Sequence, residues 1–241
     1  MKTICLVGLI SMFVLVFVQN VRKTANMSAF DKVELKTAGC PESLIELAER
    51  NPETVAFVND YEKYEGNPDD IDLSGDVVDG EIPLFLQWDE RWGYESYGND
   101  YLAVTGCGPT CLSMVYCGLT GDVYMNPYRM AKRAEAEGFY VEGSGSAWSM
   151  MEILPQEMGL EVRSVVFDEE HIQEELNNGH PIICIMGPGD FTTTGHFIVL
   201  AGITGEGKII VNDPNSKINS EKEWNLEDLM PQIRNLWSYD R

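Results

Sequence analysis

The chain has 241 residues, of which 44% are hydrophobic, and a formal net charge of -22. That is enough apolar material for one good-sized folded domain with accessory segments, so disorder is not the default. The acidity makes nucleic acid and anionic lipid poor partners and is silent about the fold.

The first residues carry a membrane signal. Thr3 to Val21 is a run of 19 residues without a charge, with Lys2 before it and Arg22 and Lys23 after it. As a helix it would be about 28 Å long, close to the ~30 Å hydrocarbon core. A cleaved signal peptide begins in a similar way, but TANMSAF offers no small-x-small cleavage site and Cys5 lies too early to be a lipoprotein cysteine. Residues 1–23 are therefore expected to form a membrane anchor, with a signal sequence as the alternative. The flanking charges do not fix an orientation. Export is what such a leader usually means, so the rest is expected on the extracellular side of the membrane, anchored or secreted.

Residues 24–80 stand apart, with 14 acids against 4 bases. Within PESLIELAERNPETVAFVNDY the apolar spacing predicts two short amphipathic helices broken near Pro52. EGNPDDIDLSGDVVDGE reads as an acidic, turn-rich linker. The segment is expected to be a spacer or cap in front of a domain at 81–241.

In that domain a helix is predicted from about 107 to 117, a second in NPYRMAKRAEAEG stopped by Gly138, and a third in SAWSMMEILPQEMG. The strand LEVRSVVF follows, then a helix in DEEHIQEELNNG capped by Asp168 and ended by Gly179. Three strands come next, PIICIM, HFIVLAGI and KIIVNDP, the last two joined by the hairpin signal TGEG. Helices first and an antiparallel sheet afterwards predict an α+β domain with segregated halves.

VTGCGPTCLSMVYCG holds three of the six cysteines, Cys107, Cys111 and Cys117. Zinc sites pair two close cysteines with a second close Cys/His pair, and none of the three histidines has a partner at such spacing. No metal or cofactor is implied. Cys107 and Cys111 are four apart on a helix, a separation that rarely closes a disulfide. Cys111, Cys117 and Cys184 lie among Leu, Met, Val and Ile and read as small buried hydrophobes. Cys107 differs, because it stands at a helix start, where the positive end of the dipole favours thiolate. The glycines beside it would let a substrate backbone approach.

A thiolate nucleophile needs a base. His171 lies on a charged helix face and His180 at a strand entry, both ordinary places. His196 opens HFIVLAGI directly after the loop GPGDFTTTG, and the partner strand ends in VNDP. A hairpin brings its open ends together, so His196 and residues 212–215 must be neighbours. Strand alternation then chooses between Asn212 and Asp213. A two-residue turn at Gly205-Glu206 sets His196 opposite Asn215 and puts Asp213 on its face; a three-residue loop sets it opposite Ser216 and selects Asn212. Pattern alone leaves both open. For the oxyanion, Gln87 is the candidate donor and Asn99 its rival, beside the Cys107 N–H.

Gln87 with Trp92 downstream, GCGPT at a helix start, GHFIVL and VNDP together resemble the papain-like cysteine peptidases, in particular the branch related to bacteriocin leader-processing (double-glycine) peptidases. The resemblance covers about residues 81–216. It implies Cys107 as nucleophile, His196 as general base, Asp213 as its orienting partner and Gln87 as part of the oxyanion hole. In the leader-processing members the Gln lies only a few residues before the Cys, whereas twenty positions separate Gln87 from Cys107. With no transporter fused, cleavage after a double-glycine leader does not follow. The expected function is a thiol hydrolase acting on a peptide or protein substrate, cell-wall peptide included. An amidase or acyltransferase with the same residues, and a non-catalytic binding module on the same fold, are the alternatives.

Overall fold

The computed structural model describes residues 29–64, 70–78 and 80–241. The expected anchor or signal at 1–23 lies outside the described residues, and no described helix is long and apolar enough to cross a membrane. The chain divides into two compact units between Lys63 and Tyr64.

The first unit contains helices α1 (Ala29–Thr37), α2 (Glu42–Arg50) and α3 (Val55–Asn59). The break expected near Pro52 is real: a 3-10 turn, Pro52–Thr54, separates α2 from α3, with the Asn51 side chain accepting from the Glu53 N–H. α1 was not foreseen. Leu44, Ile45, Leu47 and Ala48 form the buried stripe of α2, and Phe57 and Val58 that of α3.

The second unit begins well before residue 81, where composition alone places the break. The described part of the acidic stretch, residues 70–78, packs into its core. Leu73 is fully buried in a cluster with Phe85 and Trp92, and its N–H donates to the Val123 carbonyl at 2.8 Å. Arg91 ties the stretch down by a bidentate pair to Asp76 at 2.8 and 3.0 Å. A few apolar residues among carboxylates are invisible to a composition count, yet Leu73 inserts fully, with Ile71 and Val77 partly buried against the same cluster.

Two small hairpins, β1 (Ser96–Tyr97) with β2 (Asp100–Tyr101) and β3 (Tyr140–Val141) with β4 (Gly145–Ser146), flank the helices α4 (Leu102–Thr105), α5 (Cys107–Thr120) and α6 (Pro127–Ala136). Then come α7 (Met150–Glu157), β5 (Glu161–Ser164), α8 (Glu169–Asn177), β6 (Ile182–Met186), β7 (His196–Ile203) and β8 (Ile209–Asn212). The chain ends with α9 (Lys217–Glu221), β9 (Glu223–Trp224), α10 (Leu226–Leu229) and β10 (Ile233–Asp240). Asp168 caps α8 as expected, accepting from the His171 N–H at 2.9 Å, and Asn126 caps α6 through the Arg129 N–H.

The main sheet is antiparallel, in the order β5-β10-β6-β7-β8-β9. α5 packs on one face, against Ile183, Ile185, Phe197 and Val199, while Ile172 and Leu176 of α8 join Ile182, Cys184, Ile198 and Leu200 on the other. Cover on both faces explains why PIICI and HFIVL are continuous apolar runs rather than alternating ones. The α+β fold is the one expected, but the sheet has six strands rather than four. β10 is an interior strand, inserted between β5 and β6. A bulge between Ile233 and Asn235 breaks its alternation, and its buried Ser238 is satisfied by Glu175. Those polar residues hid the strand.

Candidate active site

Three elements converge on one end of the sheet. Cys107 is the first residue of α5, with Gly106 as its N-cap. The glycines around it are demanded by packing. A Cβ on Gly106 would lie 2.4 Å from the Leu102 carbonyl oxygen, and one on Gly108 would lie 2.6 Å from Ser146 Oγ. They let α4 and the β4 strand close around the helix start, a reason other than substrate approach. The thiol itself remains half-buried.

His196 is the first residue of β7, 7% exposed, and Asp213 follows β8 at 1% exposed. Their register is the outcome of two compensating irregularities. Thr204 and Lys208 close a three-residue loop with Gly207 in the left-handed region at φ 77°, the geometry that by itself would have brought Asn212 to the histidine. A β-bulge at Ala201 then shifts the pairing back by one residue, from Gly202↔Ile210 to Leu200↔Val211 and Val199↔Asn212. Continued one step, that register puts Asp213 opposite Ile198, on the His196 face. Asn212 points the other way and donates to the Ile82 and Pro83 carbonyls at 2.9 and 3.0 Å.

Asp213 Oδ1 accepts from His196 Nε2 at 2.7 Å and from the Asn215 N–H at 2.9 Å; Oδ2 accepts from Asn219 Nδ2 at 2.8 Å. Nε2 being taken, Nδ1 is the ring nitrogen left for the Cys107 thiol, to which His196 is electrostatically coupled. Burial by itself pushes the thiol pKa up. The hydrogen bond and charge of His196, with the N–H groups of Phe197 and Gly108, reverse this and bring it below the ordinary value of 9.0. Burial pulls the imidazole down, but the Asp213 charge, its hydrogen bond and the thiol lift it to about 10. The usual order of the two groups is inverted, which favours a proton on the imidazole and a thiolate at Cys107.

The other cysteines behave oppositely. All five described cysteines are free, and burial raises Cys111 well above 9.0 and Cys117 to about 12. Cys184 is likewise raised by burial.

Gln87 is 3% exposed. Its backbone N–H donates to the Pro214 carbonyl at 2.7 Å, beside Asp213, and its Nε2 donates to the Ala103 carbonyl at 2.6 Å, just before the Cys107 helix. That carbonyl fixes which end of the amide is nitrogen and leaves a second Nε2–H free of it. Asn99, the rival, is exposed and donates to Glu142 at 3.2 Å. Asn215, Asn219 and Ser220, whose Oγ accepts from the Asp213 N–H at 2.9 Å, were not singled out from sequence. Nothing in NSKINS marks them apart from the Ser216 cap of α9.

A helix-borne cysteine facing an imidazole–carboxylate pair on an antiparallel sheet is the arrangement of a cysteine peptidase of the papain-like type. Residues 80–241 match the Peptidase_C39 like family, and the chain belongs to it. Among solved structures, the peptidase domain of Streptococcus ComA, a bi-functional ABC transporter involved in a quorum sensing pathway, is similar at 18% identity and a TM-score of 0.42, over 57% of this chain and 93% of that one. No curated protein matches the chain.

Proposed function

We propose that this peptidase cleaves peptide bonds through a Cys107–His196–Asp213 triad and an acyl-enzyme. The observation that carries the reading is the position of His196, hydrogen-bonded to Asp213 at 2.7 Å on one side and coupled to the Cys107 thiol on the other. Cys107 Sγ attacks the amide carbonyl carbon, and the carbonyl oxygen becomes an oxyanion held by the Cys107 N–H and Gln87 Nε2. The C–N bond breaks as His196 gives its proton to the leaving amine. Water then adds to the thioester, losing a proton to His196, and the carboxylate product leaves with Cys107 regenerated. Asp213 keeps the imidazole ring oriented and balances its charge.

The substrate is a peptide or protein, and the leader at 1–23 would deliver the domain to the extracellular side of the membrane, where cell-wall peptide is available. A digest of a peptide library, read by mass spectrometry with Cys107→Ala as control, tests the chemistry. Products that persist with the alanine variant sink the triad. Added amine nucleophiles appearing in the products would identify a transferase, since amine then replaces water at the same thioester.

A further inference from the structure

Resting on the triad reading, we propose that Asn219 is a positioning residue for this reaction, holding Asp213 as an oriented, ionised partner of His196. Asp213 is almost wholly buried, and a buried carboxylate keeps its charge only where donors meet its oxygens. Oδ1 has two, His196 Nε2 and the Asn215 N–H, and Oδ2 has the Asn219 amide at 2.8 Å. Asn219 must present its nitrogen, because its oxygen would repel the carboxylate. It is itself held at both ends: its N–H donates to Ser216 Oγ at 3.1 Å, and its carbonyl accepts from the buried Trp224 indole at 2.9 Å. α9 is short, and its placement serves this contact.

The choice of an amide has a physical reason. A lysine or arginine would neutralise Asp213 and weaken its hold on the imidazolium. A neutral donor satisfies the oxygen and leaves the whole negative charge to act on His196. The titratable groups that feel Asp213 are His196 across the hairpin and Cys111 on α5, with Cys107 beyond the imidazole. Lys217, on the same helical turn as Asn219, lies instead over the Trp88 ring at 5.6 Å.

The test is the rate of Cys107 alkylation by iodoacetamide against pH, resolved by peptide mapping, in the full chain and in Asn219→Leu and Asn219→Asp. In the parent, alkylation of Cys107 should persist well into the acid range. Asn219→Leu strips the donor and lets the carboxylate and imidazolium drift from the thiol, so the acid midpoint of Cys107 alkylation should rise by about one unit, with about a tenfold loss of rate below the parent's midpoint. Asn219→Asp sets two carboxylates side by side, which share one proton, and should raise the midpoint at least as far while keeping the side-chain size. A merely structural asparagine would lower the melting temperature and leave the midpoint where it was. Asp-variant and parent profiles that coincide overturn the proposal, even where the Leu variant fails to fold. A parent that shows no preference for Cys107 overturns the triad reading and this one with it, before any variant is compared.

Discussion

Two imidazole–carboxylate clusters stand at opposite ends of β6, and only one of them is a catalytic arrangement. Met186, at one end, pairs with His196, while His180 precedes Ile182 at the other. Around His180, Glu175 approaches Nδ1 at 2.9 Å, Arg163 approaches the same nitrogen at 3.2 Å, and Asp240 faces Nε2 at 3.4 Å. Both ring nitrogens are engaged by groups that also tie α8, β5 and β10 together. At the other end a single carboxylate takes Nε2, and the second nitrogen is left for a thiol. An imidazole beside an acid is therefore no signature of catalysis. What distinguishes His196 is a free nitrogen aimed at a nucleophile on a helix start.

That contrast can be broken by substitution. Cys107→Ala should lower turnover by at least about 10⁴-fold with little loss of stability, and His196→Ala should do the same to turnover while also destabilising the fold, because Asp213 is left buried without its partner. His180→Ala should leave turnover within about threefold and cost about 1–3 kcal/mol in urea melts, because it opens a clamp between three elements. Turnover lost with His180 and kept without His196 would reverse the assignment of the two ends.

A finer break lies inside VNDP. Asp213→Ala is expected to cut turnover by about 10²–10⁴-fold. Asn212→Ala is expected to leave turnover nearly intact and to destabilise by about 1–3 kcal/mol, since the buried Ile82 and Pro83 carbonyls lose their donor. Steady-state kinetics beside thermal melts separate the two residues, and exchanged effects would mean a hairpin register one residue away.

The ends should also differ in their response to pH. His196 is raised to about 10, so the stability it lends is full below the unfolded value of 6.5 and fades as pH rises through about 10. Glu175 and Asp240 are lowered, Glu175 against the effect of burial by Ser238, His180 and Arg163, and Asp240 chiefly by the Arg241 N–H and by Arg163. Their contribution is present above the ordinary carboxylate range and is lost as pH falls. Hydrogen exchange, corrected for intrinsic rates, should show the His180 end of the sheet loosening in acid and the His196 end in alkali. The opposite order would place the stabilising charges wrongly.

The last contrast, one of stability alone, concerns the unit boundary. Leu73→Ala should cost about 2–5 kcal/mol in the melting of the second unit, as a fully buried leucine does. A loss near zero would return residues 70–78 to the linker that their composition suggests.

The legible parts of this chain were those written locally. GCGPT at a helix start, the Asp168 and Gly179 helix bounds, and the hairpin that brings His196 to VNDP all rest on neighbours in sequence. The choice of Asp213 over Asn212 did not follow from turn length, because the three-residue loop points to Asn212 and the Ala201 bulge cancels it. A bulge inside an unbroken apolar run leaves no mark in the pattern. β10 was hidden for a related reason: its Ser238 and Asp240 are satisfied by Glu175 and Arg163, which lie far away in sequence. Leu73 and Asn219 take their importance from tertiary partners alone.

The central claim is that one thiol of five is poised as a thiolate by His196. Iodoacetamide labelling of the native protein at pH 6, followed by peptide mapping, tests it most directly. The expected result is carboxamidomethylation of Cys107 with Cys40, Cys111, Cys117 and Cys184 untouched, because burial raises the pKa of those four and His196 does the reverse for Cys107. Cys107 left unmodified, or modified no faster than the other four, would contradict it.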